Sequence, residues 1–272
     1  MTEETPNADE TRITLTIGPP PDPRLRHPFE GPYLKIERAK RHVADCNAAI
    51  NEWARNVNIQ GVPERNPETG EMLSNLTMPE SPPEIRLAAA DAIYNMRSAL
   101  DQAVSRCAIL AGKSPKNTYF PRGKDLAGFE ASLDAKCEEV PQPVRDVLTD
   151  LQPYYGGEGF LLQALHDLNL TDKHTDLIAH NMLVKEMTVA SEKRPGPSPW
   201  ADPKDTLVGD AAEFHTHHDI KLAITVAFAG VEPIKHQSVS EVLVQLLDVT
   251  TRVVQIIDRT MLKHLQDTYG AS

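Results

Sequence analysis

The chain has 272 residues with a formal net charge of −11, and 40% of them are hydrophobic, so it can bury a sizeable core beneath an acidic surface. Such a surface repels nucleic-acid phosphates and disfavours non-specific binding to them, although it leaves room for a local basic site. The acidic first residues are not a secretory signal, no apolar run approaches the roughly 20 residues of a membrane helix, and three separated cysteines exclude a disulfide framework, so we expect a cytoplasmic protein without a membrane partner.

The N-terminal 32 residues are predicted to form a flexible arm. The β-branched alternation ITLTIG predicts a short strand at 13–18. Prolines remove backbone donors and restrict the residues before them, so 19–32 is predicted to be extended and non-helical. Residues 33–272 are predicted to form one domain of the α+β class, mainly helical, in which a bundle of long helices carries a small antiparallel β element.

Apolar spacing of three and four predicts most of the helices. The first long helix is expected at Tyr33–Asn56, and a β insertion follows at 57–79, where NPETG has the composition of a hairpin turn. The central helix is expected at 82–112, with proline at its start and glycine at its end. Two shorter helices are expected at Leu126–Cys137 and Pro143–Leu151.

The second half of the chain predicts further helices around a second β insertion. A helix over Phe160–Asn169 is expected to continue through a kink, with Thr171 as a new N-cap. The β insertion is expected at 182–229. The last helix, Ser238–Tyr269, has so wide an apolar stripe that it is either central in the core or shared with a second subunit, and the second arrangement would make a homodimer.

Four small polar residues form a stripe along the central helix, beside its apolar face. Their steps of four, three and four put them on one side of the helix, and they are Asp91, Asn95, Ser98 and Gln102. Such a stripe is either a hydrogen-bonded seam between packed helices or the wall of a binding cleft. Arg97 is expected to pair with Asp101 on the helix surface.

A basic group on the first helix is the second candidate binding surface. Lys35, Arg38 and Arg41 are three residues apart and lie on one side of this helix. Such a group is either a solvated helix face or a strip that binds phosphates.

The segment FHTHHD at 214–219 is a candidate metal site. His215 and His217 would share one side of a strand, next to His218, and a third ligand could come from Asp219, His174 or His180. Imidazole ligands suit several transition metals, so the sequence does not identify a cofactor. One interpretation of this segment is a metal site, which would make a metal-dependent enzyme the alternative function. The other interpretation is a group of exposed histidines that bind no ligand.

Two motifs resemble those of a group of bacterial helical proteins without an assigned activity. In that group, D-x-x-x-N-h-R-S-A-L-D-H lies on one long helix, where h is apolar, and N-x-x-D-K-H follows some seventy positions later. The residues here that match these motifs are Asp91, Asn95, Arg97, Ser98, Asp101, Asn169, Asp172, Lys173 and His174.

The first motif also resembles the R-x4-6-H signature of HEPN domains. These are helical, usually dimeric modules, and many are ribonucleases of toxin–antitoxin or phage-defence systems, in which the Arg and His act together on RNA. The resemblance implies a catalytic role for Arg97, but Gln102 stands where the His falls, and glutamine cannot act as a general base. We therefore expect an RNA-binding or interaction module with weak or absent ribonuclease activity; a non-catalytic scaffold is the remaining alternative.

His174 could replace the missing base if its helix packs against the central one.

Residues 97 and 102 are offset by about 140° around a helix. Only the long Arg97 side chain or a second subunit could therefore join them at one site.

Overall fold

Six helices and five strands make up the part of the chain that the computed structural model describes, which comprises residues 27–57, 60–65, 72–77, 80–174, 180–190, 213–215 and 219–269. The helices are α1 (Glu30–Asn56), α2 (Pro83–Leu110), α3 (Leu126–Lys136), α4 (Gln142–Asp150), α5 (Phe160–His174) and α6 (Val239–Tyr269). The strands are β1 (Gln60–Arg65), β2 (Met72–Thr77), β3 (His180–Ala190), β4 (Glu213–His215) and β5 (Asp219–Phe228). Side chains are described at 27–57, 80–171 and 225–269.

The predicted fold class, a mainly helical α+β bundle with a small antiparallel β element, is confirmed. One sheet has the strand order β1-β2-β4, and the other pairs β3 with β5. All of these pairings are antiparallel. Pro63 lies in the edge strand β1, where a missing backbone N–H is tolerated.

Helix α2 is the centre of the bundle, since α1, α5 and α6 all pack against it. Pro83 occupies its first turn, where the missing N–H would be unpaired in any case. Gly112 follows the helix at a φ of 74°, and Lys113 N–H donates to the Ala108 carbonyl at 2.9 Å, which is the bond of a Schellman motif. The predicted apolar face is buried at Ile85, Ala89, Ala92, Met96, Ala99, Ala103 and Cys107.

Helix α1 runs antiparallel to α2. Near its C-terminal half, the Cys46 thiol donates to the Ile85 carbonyl at the start of α2. At the other end, Arg106 Nε donates to the Pro28 carbonyl at 2.7 Å. The first residues of α1 therefore lie beside the C-terminal half of α2.

The prediction that 19–32 is entirely non-helical was wrong at its end, because α1 begins at Glu30 and includes Pro32. Proline is compatible with a first helical turn, where its N–H has no partner to lose. The predicted strand at 13–18 and most of the predicted arm lie outside the described residues. The division into an arm and a single domain stays a prediction.

The wide apolar stripe of α6 is used within this chain. Helix α6 contacts α1, α2, α4, α5 and β5. Leu243, Val254 and Ile257 are fully buried on it. Tyr33 of α1 donates a hydrogen bond to Asp258 of α6 at 2.8 Å. Of the two interpretations of this stripe, a central position in the core is sufficient to explain its width.

The predicted kink in α5 was wrong. The helix is continuous from Phe160 to His174, and the Thr171 hydroxyl donates to the Asp167 carbonyl one turn earlier. This back-bonding occupies the hydroxyl inside a helix, so Thr171 does not cap a new one. Among the described helices, none is long and apolar enough to cross a membrane.

We expect Leu243→Ala to destabilise the protein and Val244→Ala to have little effect. Leu243 is fully buried, whereas its neighbour Val244 is 51% exposed. Removing a buried leucine side chain leaves a cavity and costs about 2–5 kcal/mol, whereas a surface truncation changes stability by about 0.5 kcal/mol or less. Urea unfolding of the two variants measures the difference, and equal losses would contradict the central position of α6.

Candidate functional site

A cleft with a volume of about 260 Å³ opens along the C-terminal half of α2. Its lining consists of Tyr94, Arg97, Ser98, Asp101, Gln102 and Ser105 from α2, Tyr119 from the following loop, and Asn169 from α5. The α2 residues recur at steps of three and one, so they span a helix face about 140° wide. Arg97 and Gln102 lie at opposite edges of this face, and the cleft joins them within one chain.

Arg97 closes the wall of the cleft by holding the loop that follows α2. Its Nη2 donates to Asp101 Oδ1 at 2.7 Å and to the Phe120 carbonyl at 2.9 Å. Asp101 Oδ1 also accepts from the Phe120 backbone N–H at 3.0 Å, which completes a ring of hydrogen bonds. The predicted pairing with Asp101 is confirmed, but the predicted surface position was wrong, because Arg97 is only 6% exposed.

Burial gives the Arg97 guanidinium an unusual environment. Burial lowers the pKa of Arg97, the charge of Asp101 opposes this shift, and the nearby positive charge of Arg122 adds to it. An arginine nevertheless stays protonated in proteins. Nη1 is buried and has no hydrogen-bond partner among the described atoms. Leaving a buried donor unpaired costs about 1–3 kcal/mol, which offsets part of the stability that the other hydrogen bonds of the guanidinium give.

The predicted polar stripe divides into two parts with different surroundings. Ser98 and Gln102 line the cleft, and Gln102 Nε2 donates to Ser98 Oγ at 3.3 Å. Asn95 is buried instead, where its amide donates to the Asp91 carbonyl and its Oδ1 accepts from Lys35 Nζ. The Asp91 side chain is exposed. The stripe is thus a packing seam at its N-terminal end and a cleft wall at its C-terminal end.

Asn169 brings the second sequence motif to the same cleft as the first. It is buried on α5 and lines the cleft beside the α2 residues. Asp172, Lys173 and His174 form the last turn of α5, but their side chains lie outside the described residues. The hypothesis that His174 serves as a base therefore stays a prediction.

Two half-exposed tyrosines lie at the cleft, each with a lysine over its ring. Tyr94 is 43% exposed and Tyr119 is 49% exposed. Lys35 Nζ lies 5.3 Å from the Tyr94 ring centroid, and Lys136 Nζ lies 5.8 Å from that of Tyr119. Sequence reasoning did not identify Tyr119 or Lys136, because only tertiary packing brings them together. The one available signal in the sequence was the aromatic Tyr119 in the loop after α2.

The predicted basic group on α1 does not act as a unit. Lys35 reaches across to α2, where it contacts Tyr94 and Asn95. Arg38 and Arg41 are exposed on α1, and neither lines the cleft. Lys35 is therefore the member of this group that contributes to the site.

The predicted metal ligands belong to two different sheets. His215 ends β4 and is paired with Leu73, whereas Asp219 begins β5 and is paired with Ala190. Their side chains lie outside the described residues, as do His217 and His218. Among the described side chains, no group of histidine, cysteine or carboxylate residues could hold a metal. Metal binding at 214–219 stays a prediction.

We expect Arg97→Met to destabilise the protein, because it removes the guanidinium that donates to Asp101 and to the Phe120 carbonyl. Removing one residue of a fully buried ion pair costs about 3–5 kcal/mol, and because the Asp101 side chain is 28% exposed, we expect a loss near the lower end of this range. Arg252→Met is the matched control, since Arg252 pairs with Asp248 at 2.8 Å, also four residues apart, but its side chain is 71% exposed. Exposed pairs are worth about 0–1 kcal/mol. Urea unfolding compares the variants, and equal losses would show that the Arg97 pair is no more than a surface contact.

The expectation of a HEPN-like protein depends on the two motifs that meet at this cleft. Arg97 and Ser98 of the first motif and Asn169 of the second line it together. Comparisons with protein-family models, with curated proteins and with solved structures give no match.

Proposed function

We propose that this protein is a HEPN-like module that binds RNA in the α2 cleft, with weak or absent ribonuclease activity. The observation that carries the proposal is a cleft that side chains of both sequence motifs line together, Arg97 and Ser98 from the first and Asn169 from the second. The half-exposed Tyr119 lies at the same cleft and offers its ring face to a base.

The other groups in the cleft suit a nucleobase better than a phosphate. The charge of Arg97 is largely offset by Asp101, which contacts it at 2.7 Å. The remaining polar groups of the lining are hydroxyls and amides, which form hydrogen bonds with the edges of bases. The cleft volume of about 260 Å³ lies below the range of about 300–1,000 Å³ that is typical of sites for drug-sized ligands. A single base is therefore the part of an RNA that we assign to this cleft.

The rim supplies stacking and positive charge. Exposed aromatic rings bind unpaired bases by stacking, without strong sequence preference. The cations near the rim, Lys35 over Tyr94 and Lys136 over Tyr119, would contact the flanking phosphates. These local charges allow an acidic protein with a net charge of −11 to attract an RNA strand at one place.

The chemistry of the lining favours binding over cleavage. Gln102 lies where the HEPN signature has histidine, and an amide does not exchange a proton near neutral pH. Arg97 stays protonated, and Asp101 Oδ1 already accepts two hydrogen bonds, so neither is a suitable general base. The proposal includes a role in defence and a homodimer, as in the HEPN family. Size-exclusion chromatography with light scattering measures the oligomeric state.

We expect Tyr119→Leu to weaken binding to a short, mixed-sequence, single-stranded RNA by about 5- to 150-fold. Stacking of a base on an aromatic side chain is worth about 1–3 kcal/mol, and leucine keeps the apolar volume without the ring face. Fluorescence anisotropy with labelled RNA measures the affinity. Tyr269→Leu is the matched control and should leave the affinity unchanged, because Tyr269 is exposed at the C-terminal end of α6.

If both tyrosine variants bind as the wild type does, the α2 cleft is not the RNA site. If the wild type does not bind RNA at all, the proposed function is wrong and a non-catalytic scaffold becomes the better interpretation. Circular dichroism of each variant separates a loss of binding from a loss of fold.

We expect Lys35→Ala to reduce the salt dependence of RNA binding. Each phosphate contact to a single strand contributes about −0.7 to the slope of log affinity against log salt concentration. Lys40→Ala is the matched control, because Lys40 lies on the same helix but pairs with Glu37 at 2.6 Å, away from the cleft. Titrations at several salt concentrations give the slope for each variant. The same slope for Lys35→Ala and Lys40→Ala would show that Lys35 does not contact the RNA.

A further inference from the structure

A second cavity with a volume of about 430 Å³ adjoins the cleft along α2. It lies between residues 27–32, which lead into α1, and the part of α2 that contains Arg106. Gln102 and Ser105 line both cavities and are their common boundary. The Ser105 hydroxyl donates to the Thr118 carbonyl at 2.5 Å, so this side chain is held toward the loop. Gln102 is the longer side chain at the boundary.

The Gln102 amide has a close neighbour on each side of this boundary. Its Nε2 donates to Ser98 Oγ at 3.3 Å on the side of the cleft. On the other side, Gly31 approaches so closely that a Cβ atom at position 31 would lie 3.1 Å from Gln102 Oε1. A glycine in the first turn of α1 therefore lets the amide extend across the space between the two helices.

We propose that Gln102 determines the specificity of the site by separating the two cavities and restricting the cleft to one nucleobase. This inference rests on the proposed function. In the wild type, the nucleotide that follows the bound base must pass outside the second cavity. A short side chain at position 102 would open one groove along α2 from Tyr94 to Ile109, which is about 22 Å at 1.5 Å per residue.

The second cavity has groups that can bind a second base once it is open to the cleft. The carboxylate of Glu30 can accept a hydrogen bond from an exocyclic amine such as that of cytosine. The Arg106 guanidinium is oriented by its Nε bond to the Pro28 carbonyl, and its positive charge and the negative charge of Glu30 offset each other in the lining of the cavity. A cytidine dinucleotide is therefore a suitable probe.

The experiment compares cytidine monophosphate with the dinucleotide CpC as competitors for labelled RNA. We expect the wild type to bind the two with affinities within about threefold, and Gln102→Ala to favour the dinucleotide by about tenfold or more, because a second base is then bound. Gln245→Ala, on the exposed side of α6, is the matched control and should keep the wild-type ratio.

The outcomes separate this inference from the proposed function. RNA binding by the wild type with the same ratio in Gln102→Ala would overturn the role of Gln102 and leave the RNA site standing. No RNA binding by the wild type would overturn both. If circular dichroism shows that Gln102→Ala does not fold, Gln102→Ser takes its place, because it shortens the side chain while keeping a polar group. The ratio of the affinities for CpC and cytidine monophosphate then tests the role of Gln102.

Discussion

The ring of hydrogen bonds through Arg97, Asp101 and Phe120 is the constraint on which the site depends. One carboxylate oxygen accepts from a guanidinium and from a backbone N–H, and the same guanidinium donates to the carbonyl of that backbone residue. Helix α2 is thereby joined to the loop that carries Tyr119, so the floor and the rim of the cleft have a fixed relative position. Breaking this ring would leave buried polar groups unpaired as well as freeing the loop, because the interactions share atoms.

The same ring explains how a cationic side chain can be buried without making the cleft strongly positive. The ion pair with Asp101 compensates the charge of the guanidinium. Positive charge is instead carried at the rim, where Lys35 and Lys136 lie over tyrosine rings. This separation gives directional hydrogen bonding inside the cleft and less specific, salt-sensitive attraction outside it.

The helices could be predicted well from the sequence, because their apolar spacing and terminal residues are local signals. The polar face of α2 could also be predicted. Its division into a packed seam at Asn95 and a cleft at Gln102 could not, because this division depends on where α1 begins. The burial of Arg97 was missed because a pair four residues apart looks the same in sequence whether it is exposed or covered by a distant loop. Tyr119 and Lys136 carry no periodic pattern, and only tertiary packing brings them to the site.

The position of α6 in the core has a consequence for the order of folding. The Tyr33–Asp258 hydrogen bond joins residues 225 positions apart, and α6 supplies much of the surface that covers α2. Contacts at such sequence separations form late, since the cost of closing the loop comes before their gain. During synthesis, every described residue of the cleft leaves the ribosome before the 31 residues of α6 do. The nascent chain would therefore expose the part of α2 that α6 covers until α6 arrives, which makes this interval the time when a chaperone would be most useful.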